Sequence, residues 1–506
     1  SFAINTKKSQ DYNQLFQTLQ ELGKIPEAIV YSCDNDFGFD GLLYLVQAIH
    51  RQQITTPIQI IVITHNLYDV IGTENPNPDH ATILGLCKVI PQEFPHLTCR
   101  QIDIEEKTDL RLELSHGNDS VVAYRGGYRW VQTFEPISLP EPQQTRLKEG
   151  GTYLIAGDLV EGLGLIYAQY LAQTVAAKLI LIGRKQFPEK AQWETWLVTH
   201  GQQDEISRTI RKLQALETLE AEICFFSADI ADLWQIQAII DKSEEIHGVI
   251  HADTMGDRSS CPIPDLTPDE CTRLWRSKIQ GLQVIEKVLQ KKQPDFYLLQ
   301  SSLSSVVGGV GFAAYAGANA YMDAFAHQQH KKGLIPWFSV NWDAVQEETS
   351  HQRTGMALVD FALTPDEVWQ VSQRILAWAT VPQITVSATD LHNRATPKPA
   401  KLEEHTRPHL QTTYVPPQNE TEQKIADTLQ ELLGIDQIGI HDNFFELGGH
   451  SLLAIQAVSR LRETFGIELP MREFLFESPT VAGIAKIITE SQEKAITELL
   501  EQVENL

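Results

Sequence analysis

Short apolar runs alternate with amphipathic stretches along the chain, and they divide its first three quarters into two α/β halves. In the first half, Ala28–Tyr31 and Ile58–Ile63 are aliphatic runs typical of buried parallel strands, and Phe39–Arg51 between them has helical periodicity. The residues Val121–Val131 predict a pair of strands rich in Tyr and Arg. This half has the rhythm of an α/β fold but contains no phosphate-binding glycine loop.

The second half opens with the glycine-bearing stretch Gly150–Gly164. A strand is predicted at Thr152–Ala156, a turn containing glycine follows, and Leu165–Ala176 and Lys178–Ile182 predict a helix and the next strand. This order predicts a doubly wound sheet with helices on both faces. Its further strands are predicted at Ile223–Phe226, Gly248–His251, Phe296–Leu299 and Trp337–Trp342.

The last quarter begins with a linker and continues with short helices. Prolines recur between Ala395 and Gln418 without apolar periodicity, which predicts a linker that is stiff in parts and mobile overall. The tail Glu493–Leu506 has one apolar face and is either the start of a docking helix or a frayed terminus. Between linker and tail, helices are predicted at Ile425–Leu433, Ser451–Phe465 and Thr480–Ile488, with a short turn near Phe474.

Ser451 stands at the start of one of these helices, directly after a Gly-Gly-His turn. The helix places Leu452, Ile455, Val458 and Leu461 on one apolar face, so Ser451 is expected at its exposed entrance. The positive end of a helix and its free N–H groups tolerate a phosphodiester on such a serine. The residues alone therefore leave two roles open for Ser451: a site that carries a phosphodiester group, and an ordinary N-cap serine.

Composition and charge restrict the partners and the compartment. The chain has 506 residues, 42% of them hydrophobic, and a formal net charge of −25, which argues against nucleic acid or an anionic membrane as partner. Its six cysteines have no metal-ligand spacing, and no apolar run is long enough to span a membrane. We therefore expect a cytoplasmic protein with reduced thiols. Because the chain starts at Ser1 rather than Met, we also expect a fragment of a larger polypeptide.

Four polar residues in the second half form a possible catalytic set. Tyr315 and Asn319 lie four apart, hence on one helix face, whereas Ser302 follows the predicted strand Phe296–Leu299 and Lys278 belongs to an earlier helix. A phenol can protonate a developing alkoxide if a nearby ammonium lowers its pKa. A serine hydroxyl can hold the carbonyl oxygen, and an amide can order a relay water. The set therefore predicts carbonyl reduction, although each residue alone has an ordinary structural explanation.

The second half resembles the ketoreductases of modular polyketide synthases, which are relatives of the short-chain dehydrogenases. In those synthase domains an asparagine takes the place of the lysine that follows the tyrosine, and the lysine comes from an earlier helix, as Asn319 and Lys278 do here. The stretches Val249–Ala252 and Ser339–Trp342 and the pair Gly183-Arg184 extend the resemblance. It covers residues 1–395, because such ketoreductases carry a truncated Rossmann-like structural half that binds no cofactor.

The stretch Asp442–Leu453 resembles the attachment site of acyl and peptidyl carrier domains, in which the serine bears 4′-phosphopantetheine. The two resemblances together imply two Rossmann-like subdomains, one structural and one catalytic, followed by a small four-helix carrier domain. The implied partners are other domains and modules of the same assembly line, a phosphopantetheinyl transferase and a carrier-tethered acyl substrate. The predicted limits are 1–147 for the structural half, 148–395 for the catalytic half, 396–418 for the linker, 419–491 for the carrier and 492–506 for the tail.

The resemblance also implies NADPH as the cofactor of a β-ketoacyl reductase. Gly157, Gly162 and Gly164 would form the turn against the pyrophosphate, where glycine lets the backbone approach closely. Arg184, after the second strand, would pair with the 2′-phosphate, and Asp229 would approach the adenine.

The cofactor side departs from the family pattern. The loop Ala156–Gly164 is one residue longer than usual and contains Asp158 and Glu161, whose carboxylates would repel a diphosphate. Asp253-Thr254 stands where the family has Ala-Gly, and of the triplet that marks one product configuration only Asp257 remains. Two functions stay open: an NADPH-dependent reductase with a remodelled loop, and a redox-silent ketoreductase fold that serves as a scaffold or acyl-binding module beside an active carrier.

Overall fold

The structure of the protein is a computed structural model, and its described residues fall into two compact units. The first unit is Ser1–Val345 with Leu363–Leu391, and the second is Gln346–Ala362 with His392–Leu506. The described residues are 4–33, 38–105, 108–117, 119–157, 159, 162–201, 204–219, 221–253, 260–333, 335–346, 362–391, 394, 407–408, 410, 412–447, 451–465 and 479–491.

The first half of the first unit is a five-stranded sheet whose strands lie side by side in sequence order. Four strands are parallel and the last forms an antiparallel hairpin with the fourth. The strands are β1 (Ala28–Ser32), β2 (Ile58–His65), β3 (Leu97–Ile104), β4 (Val121–Arg125) and β5 (Tyr128–Val131). The helices of this half are α1 (Ser9–Glu21), α2 (Gly38–Arg51), α3 (Pro78–Ala81), α4 (Ile83–Glu93) and α5 (Arg111–His116).

Strand β3 is absent from the sequence prediction because polar residues interrupt its apolar pattern. Arg100, Gln101 and Asp103 lie in this strand and are nevertheless buried. Asp103 forms an ion pair with Arg125 of β4 and accepts a 3.0 Å hydrogen bond from the backbone N–H of Leu67. Paired charges can be buried where isolated ones cannot, so a polar strand occupies an interior position.

The second half of the first unit is a seven-stranded parallel sheet, which confirms the predicted doubly wound fold. Its order is β12-β11-β10-β9-β6-β7-β8, so β6 lies between β9 and β7 at the point where the strand order reverses. The strands are β6 (Thr152–Gly157), β7 (Lys178–Gly183), β8 (Glu222–Ser227), β9 (Gly248–Ala252), β10 (Phe296–Ser302), β11 (Trp337–Trp342) and β12 (Gln383–Thr385).

Helices cover both faces of this sheet and bury its aliphatic strands in two apolar clusters. The stretch Arg276–Gly281 is a π-helical segment between two α-helices, and Lys190–Gln192 is a short 3₁₀ turn. The α-helices are α6 (Leu163–Val175), α7 (Trp193–Thr199), α8 (Glu205–Glu217), α9 (Leu233–Ile240), α10 (Pro268–Trp275), α11 (Leu282–Leu289), α12 (Ser304–Val307), α13 (Ala313–Lys331) and α14 (Pro365–Trp378).

The two halves of the first unit meet where α4 crosses α13, and glycines make this contact close. A Cβ atom on Gly317 would lie 2.6 Å from the carbonyl oxygen of Thr82, and one on Gly85 would lie 2.9 Å from the Cα of Gly317. The two helix backbones therefore touch directly. The structural half thus supports the helix that carries Tyr315 and Asn319.

The second unit is a small helical domain around one apolar cluster. Its described helices are α15 (Glu420–Leu433), α16 (Ser451–Phe465) and α17 (481–491). Ile425 and Leu429 of α15, Val458 and Leu461 of α16, and Ile484 of α17 are buried in the cluster. The predicted turn near Phe474 and the predicted tail 492–506 lie outside the described residues.

Part of the predicted linker packs against this helical domain. Arg407 forms an ion pair with buried Asp442, which also accepts hydrogen bonds from Thr412 at 2.9 Å and from the backbone N–H of Gly439 at 2.7 Å. The backbone N–H of Ile440 donates to the carbonyl of Val415 at 2.9 Å. The described residues from Arg407 onward are therefore in contact with the helical domain, eleven positions before the predicted linker ends.

Two general features complete the description. None of the six cysteines, all within the described parts, forms a disulfide. Over the same parts, no cluster of His, Cys, Asp or Glu is placed to hold a metal ion, and no helix has both the length and the apolarity that crossing a membrane requires.

Candidate active site

Tyr315, one of the four predicted catalytic residues, has two of the others beside it near the carboxyl end of β10. The Nζ atom of Lys278 lies 5.5 Å from the centroid of the Tyr315 ring. Asn319, one turn further along α13, donates from Nδ2 to the carbonyl oxygen of Tyr315 at 3.0 Å. The structure therefore brings a lysine, a tyrosine and an asparagine together from two separate helical segments.

Ser302, the fourth predicted residue, is the last residue of β10 and is half-buried. Its Oγ accepts a 3.2 Å hydrogen bond from the backbone N–H of Ser304. The neighbouring Ser301 donates to the carbonyl oxygen of Asn319 at 3.4 Å. The end of β10 is thus joined to the helix that carries Tyr315.

Lys278 is fully buried in the π-helical segment Arg276–Gly281. Its Nζ donates to the carbonyl oxygen of Gln300 at 3.3 Å and lies 3.8 Å from the Sδ of Met322. No carboxylate pairs with it in the parts of the chain that are described. A buried cation without an opposite charge is costly, and π-helical segments are frequent at functional sites. Both observations favour a chemical role over a structural one.

The loop between Ser302 and Tyr315 is held by two residues of the structural half that sequence reasoning missed. Gln92 donates to the carbonyl oxygen of Val307 at 2.7 Å, and Glu93 accepts from the backbone N–H groups of Gly311 at 2.8 Å and Ile263 at 2.7 Å. Burial raises the pKa of Glu93 to about 7, although both N–H groups favour its charged form. No motif could reveal these residues, because they act on a loop more than two hundred positions away.

Asn319 has a side-chain oxygen that is available to accept a hydrogen bond. Its Oδ1 is buried and has no hydrogen-bond partner within the described residues. Buried acceptors are normally paired with protein or with ordered water. The unpaired oxygen, close to Tyr315, fits the sequence-based expectation of an amide that orders a water.

The described residues of the turn after β6 include two glycines with positive φ. Gly157 has a φ of 146°, and a Cβ there would lie 2.5 Å from the backbone nitrogen of Asp253. Gly162 has a φ of 99° and directly precedes α6, whose first turn contains Gly164. A glycine turn leading to a helix N-terminus at the central strand suits a pyrophosphate. Asp158 and Glu161, the predicted repelling carboxylates, lie outside the described residues, as does Asp257.

The other two predicted cofactor residues lie at the same edge of the sheet, and both have partners within the chain. Arg184 directly follows β7, and its Nη2 lies 3.6 Å from Oδ1 of Asp253. Asp229 accepts a 2.8 Å hydrogen bond from Nε of Arg276. The guanidinium expected to meet the 2′-phosphate of NADPH therefore already faces a carboxylate of the chain.

Ser451 is the first residue of α16, as predicted. Val458 and Leu461 of the predicted apolar face are buried, as are Ala454 and Ala457, whereas the side chains of Leu452 and Ile455 lie outside the described part of the structure. The side chain of Ser451 and the preceding residues 448–450 lie outside the described part of the structure. The described geometry therefore places the serine at a helix N-terminus and says nothing further of its hydroxyl.

Family comparisons agree with both regions. Residues 151–347 match the model of the KR domain, and residues 423–488 match the model of the phosphopantetheine attachment site. The chain carries a KR domain followed by a phosphopantetheine carrier domain. Residues 1–116, the structural half, match a model described as beta-ketoacyl synthase-like, N-terminal.

Known relatives of the chain are polyketide synthases. Polyketide synthase PksL of Bacillus subtilis (strain 168) is 26% identical over 437 residues, which are 80% of this chain and 9% of the relative. The 6-methylsalicylic acid synthase of Aspergillus terreus (strain NIH 2624 / FGSC A1156) is 25% identical over 486 residues, 88% of this chain and 26% of the relative. The chain thus spans between about a tenth and a quarter of these proteins.

Solved structures share the fold of the KR domain. An N-terminal ketoreductase from the macrolactin assembly line has a TM-score of 0.60 and 22% identity, covering 77% of this chain and 78% of its own. The first ketoreductase of the tylosin PKS has a TM-score of 0.63 and 20% identity, covering 77% of this chain and 83% of its own. At these identities the comparison establishes the fold alone.

The KR match ends at 347, whereas β12 and α14 beyond it belong to the same compact unit. The domain limits given above remain predictions.

Proposed function

We propose that the KR domain reduces a β-ketoacyl thioester to the β-hydroxyacyl thioester, with the substrate held on a phosphopantetheine arm at Ser451 of the carrier domain. The observation that carries this proposal is the fully buried ammonium of Lys278, which lies 5.5 Å from the Tyr315 ring and has no carboxylate partner in the described parts. A positive charge kept at such a cost beside a phenol is expected where the phenol must give up its proton.

We assign one role to each of the four residues. Tyr315 gives its proton to the substrate oxygen as the carbonyl π bond breaks, and the charge of Lys278 stabilises the phenolate that is left. The hydroxyl of Ser302 holds the carbonyl oxygen, so that the charge developing there meets a donor. Oδ1 of Asn319 holds a water through which a proton from solvent reaches the Tyr315 phenolate after each turnover.

NADPH is the proposed cofactor, and when bound it supplies the hydride that forms the new C–H bond at the β-carbon. The glycine turn of Gly157, Gly162 and Gly164 and the N-terminus of α6 would hold its pyrophosphate. Arg184 would face the 2′-phosphate, and Asp229 would lie near the adenine.

Attachment to the carrier domain makes the reaction intramolecular. A flexible arm of this kind gives a local substrate concentration on the order of millimolar, so the KR domain need not bind the acyl chain tightly. A phosphopantetheinyl transferase must first load Ser451, and other domains of the same assembly line would supply and remove the acyl group. We also propose a cytoplasmic location, the compartment in which free thiols such as those of the six cysteines persist.

The reductase is tested by following NADPH absorbance with a β-ketoacyl thioester. Tyr315→Phe should lose nearly all turnover, because the proton donor is removed while the ring remains. Tyr128→Phe is the matched control, since this tyrosine lies on β5 with 73% of its surface exposed and should retain full turnover. Equal turnover in both variants would exclude Tyr315 as the donor.

The carrier role is tested separately by mass spectrometry after incubation with a phosphopantetheinyl transferase and coenzyme A. The wild-type chain should gain one phosphopantetheine, and Ser451→Ala should gain none. Ser491→Ala, at the end of the described helix α17, is the control and should be loaded like the wild type. Loading of Ser451→Ala would contradict the assignment.

A redox-silent KR fold beside an active carrier is the second candidate. The pairing of Arg184 with Asp253 favours it, because the cationic group expected to hold NADPH faces a carboxylate of the chain itself. This candidate predicts loading of Ser451 together with neither NADPH binding nor turnover in the wild type. The two assays above therefore separate the two functions.

A further inference from the structure

Asp253 and Arg184 form an ion pair that crosses the end of the central strand β6. Gly157, the last residue of β6, is paired with Ala252 of β9, and Gly183 ends β7 on the other side of β6. Arg184 and Asp253 are the next residues on these two outer strands. Because neighbouring strands lie about 4.8 Å apart, the arginine side chain must reach across roughly 10 Å, directly over the start of the glycine turn.

The carboxylate of Asp253 depends on this arginine. Only 2% of the residue is exposed, and Oδ1 accepts no hydrogen bond from the residues that the structure describes. Among the described residues, the cation paired with it is Nη2 of Arg184 at 3.6 Å, on a side chain that is about half exposed. A buried carboxylate requires a compensating charge. Drawing Arg184 away toward another anion would leave Oδ1 of Asp253 uncompensated.

The other oxygen of Asp253 has a structural task. Oδ2 accepts a hydrogen bond from the hydroxyl of Ser277 at 2.5 Å, and Ser277 directly precedes Lys278. The carbonyl oxygen of Ser277 lies 3.2 Å from Nε2 of His251, whose pKa burial lowers to about 4, so that a neutral imidazole donates to it. Asp253 and His251 thus hold the π-helical segment from the cofactor side. The carboxylate therefore helps to hold the segment that carries Lys278.

We propose that Asp253 determines the nucleotide specificity of this KR domain, because it engages Arg184 and thereby weakens the preference for adenosine nucleotides with a 2′-phosphate. The inference rests on the proposed reductase function. A 2′-phosphate that pairs with Arg184 must draw it from Asp253, and the buried carboxylate then repels the phosphate. NADPH and NADH, which differ by this phosphate alone, should therefore bind with similar affinity.

The test is isothermal titration calorimetry of the full chain with NADPH and with NADH. The quantity of interest is the dissociation constant of NADH divided by that of NADPH, called here the phosphate preference. Asp253→Asn removes the charge and keeps the shape and an acceptor for Ser277. It should raise the phosphate preference about tenfold over the wild type, because Arg184 is released.

The matched control is Glu205→Gln, which changes the net charge by the same amount. Glu205 pairs with Lys185, the residue next to Arg184, and should leave the phosphate preference unchanged. Arg184→Gln is the second test, and its measurement in the wild-type chain does not depend on the folding of Asp253→Asn. It should alter the preference less than about threefold in the wild-type chain but lower it about tenfold in the Asp253→Asn chain.

The outcomes separate the inference from the proposed function. An unchanged preference in Asp253→Asn, or a tenfold loss of preference in Arg184→Gln alone, would overturn the role of Asp253 and leave the reductase intact. Failure of every chain to bind either nucleotide would overturn both. Binding of NADPH by Asp253→Asn but not by the wild type would support the inference and make the wild-type domain redox-silent.

Discussion

Replacing Gly85 by alanine should slow the proposed reductase although Gly85 lies in the structural half. A Cβ at this position would stand 2.9 Å from the Cα of Gly317 and closer still to the carbonyl oxygen of Ala313. These two residues flank Tyr315 on α13. Neither contact can be relieved by a side-chain rotation, because both involve backbone atoms.

The displacement can be worked out from these distances. Ordinary contact begins at 3.4 Å, so the Cα of Gly317 alone requires a displacement of 3.4 − 2.9 = 0.5 Å. The closer contacts with the backbone nitrogen of Gly317 and the carbonyl oxygen of Ala313 require more, on the order of 1 Å. A shift of roughly 0.5–1 Å of α13 should lower turnover by about ten- to a hundredfold, because catalytic geometry tolerates little more. Overpacking should also cost about 1–3 kcal/mol of stability, or several degrees in the melting temperature.

The assay combines NADPH turnover with thermal unfolding of Gly85→Ala. The control is Gly201→Ala, because a Cβ there meets nothing within 4 Å. Turnover of Gly85→Ala equal to that of the control would refute the claim that the structural half sets the position of Tyr315. A lower melting temperature with unchanged turnover would limit the contact to stability.

Three further predictions concern charges. Burial raises the pKa of Glu93 to about 7 from 4.5, so its contribution to stability is complete below about 4.5 and is lost as pH rises through 7. The free energy of unfolding by urea should therefore fall over this range by up to about 3 kcal/mol, and Glu93→Gln should remove that fall. Lys278→Met should lose turnover at least a hundredfold and melt at or above the wild-type temperature, because a buried unpaired charge is removed; a lower melting temperature would contradict this. Arg407→Ala should destabilise the carrier domain by about 3 kcal/mol in thermal unfolding, and adding Asp442→Asn should recover most of the loss. Equal stability of the single and double variants would show that the charge of Asp442 does not matter.

The fold and part of the catalytic set can be predicted from the sequence, because they depend on local patterns. Aliphatic runs reveal β6 to β11, whereas the three-residue strand β12 is absent from the sequence prediction. Helical spacing places Tyr315 and Asn319 on one face. Lys278 is identified by its resemblance to the synthase ketoreductases, and the structure then brings it to the tyrosine.

The remaining features depend on contacts between distant residues. Strand β3 is hidden because its polar residues are paired with partners elsewhere, such as Arg125 of β4. Gln92 and Glu93 belong to a helix without chemical motifs, and their importance comes from the loop they hold. The sequence marks Asp253 as a departure from the family pattern, but only its distances to Arg184 and Ser277 show what the carboxylate does.

The ion pair between Arg407 and Asp442 decides where the carrier domain can be cut from the chain. A piece that begins at the first helix, α15, would lack Arg407 and Thr412 and would keep the carboxylate of Asp442 buried without its cation. Such a piece would look intrinsically unstable, although the instability would come from the choice of its first residue. A piece that begins before Arg407 keeps the pair and is the appropriate unit for loading assays, partner-binding studies and transplantation into another assembly line.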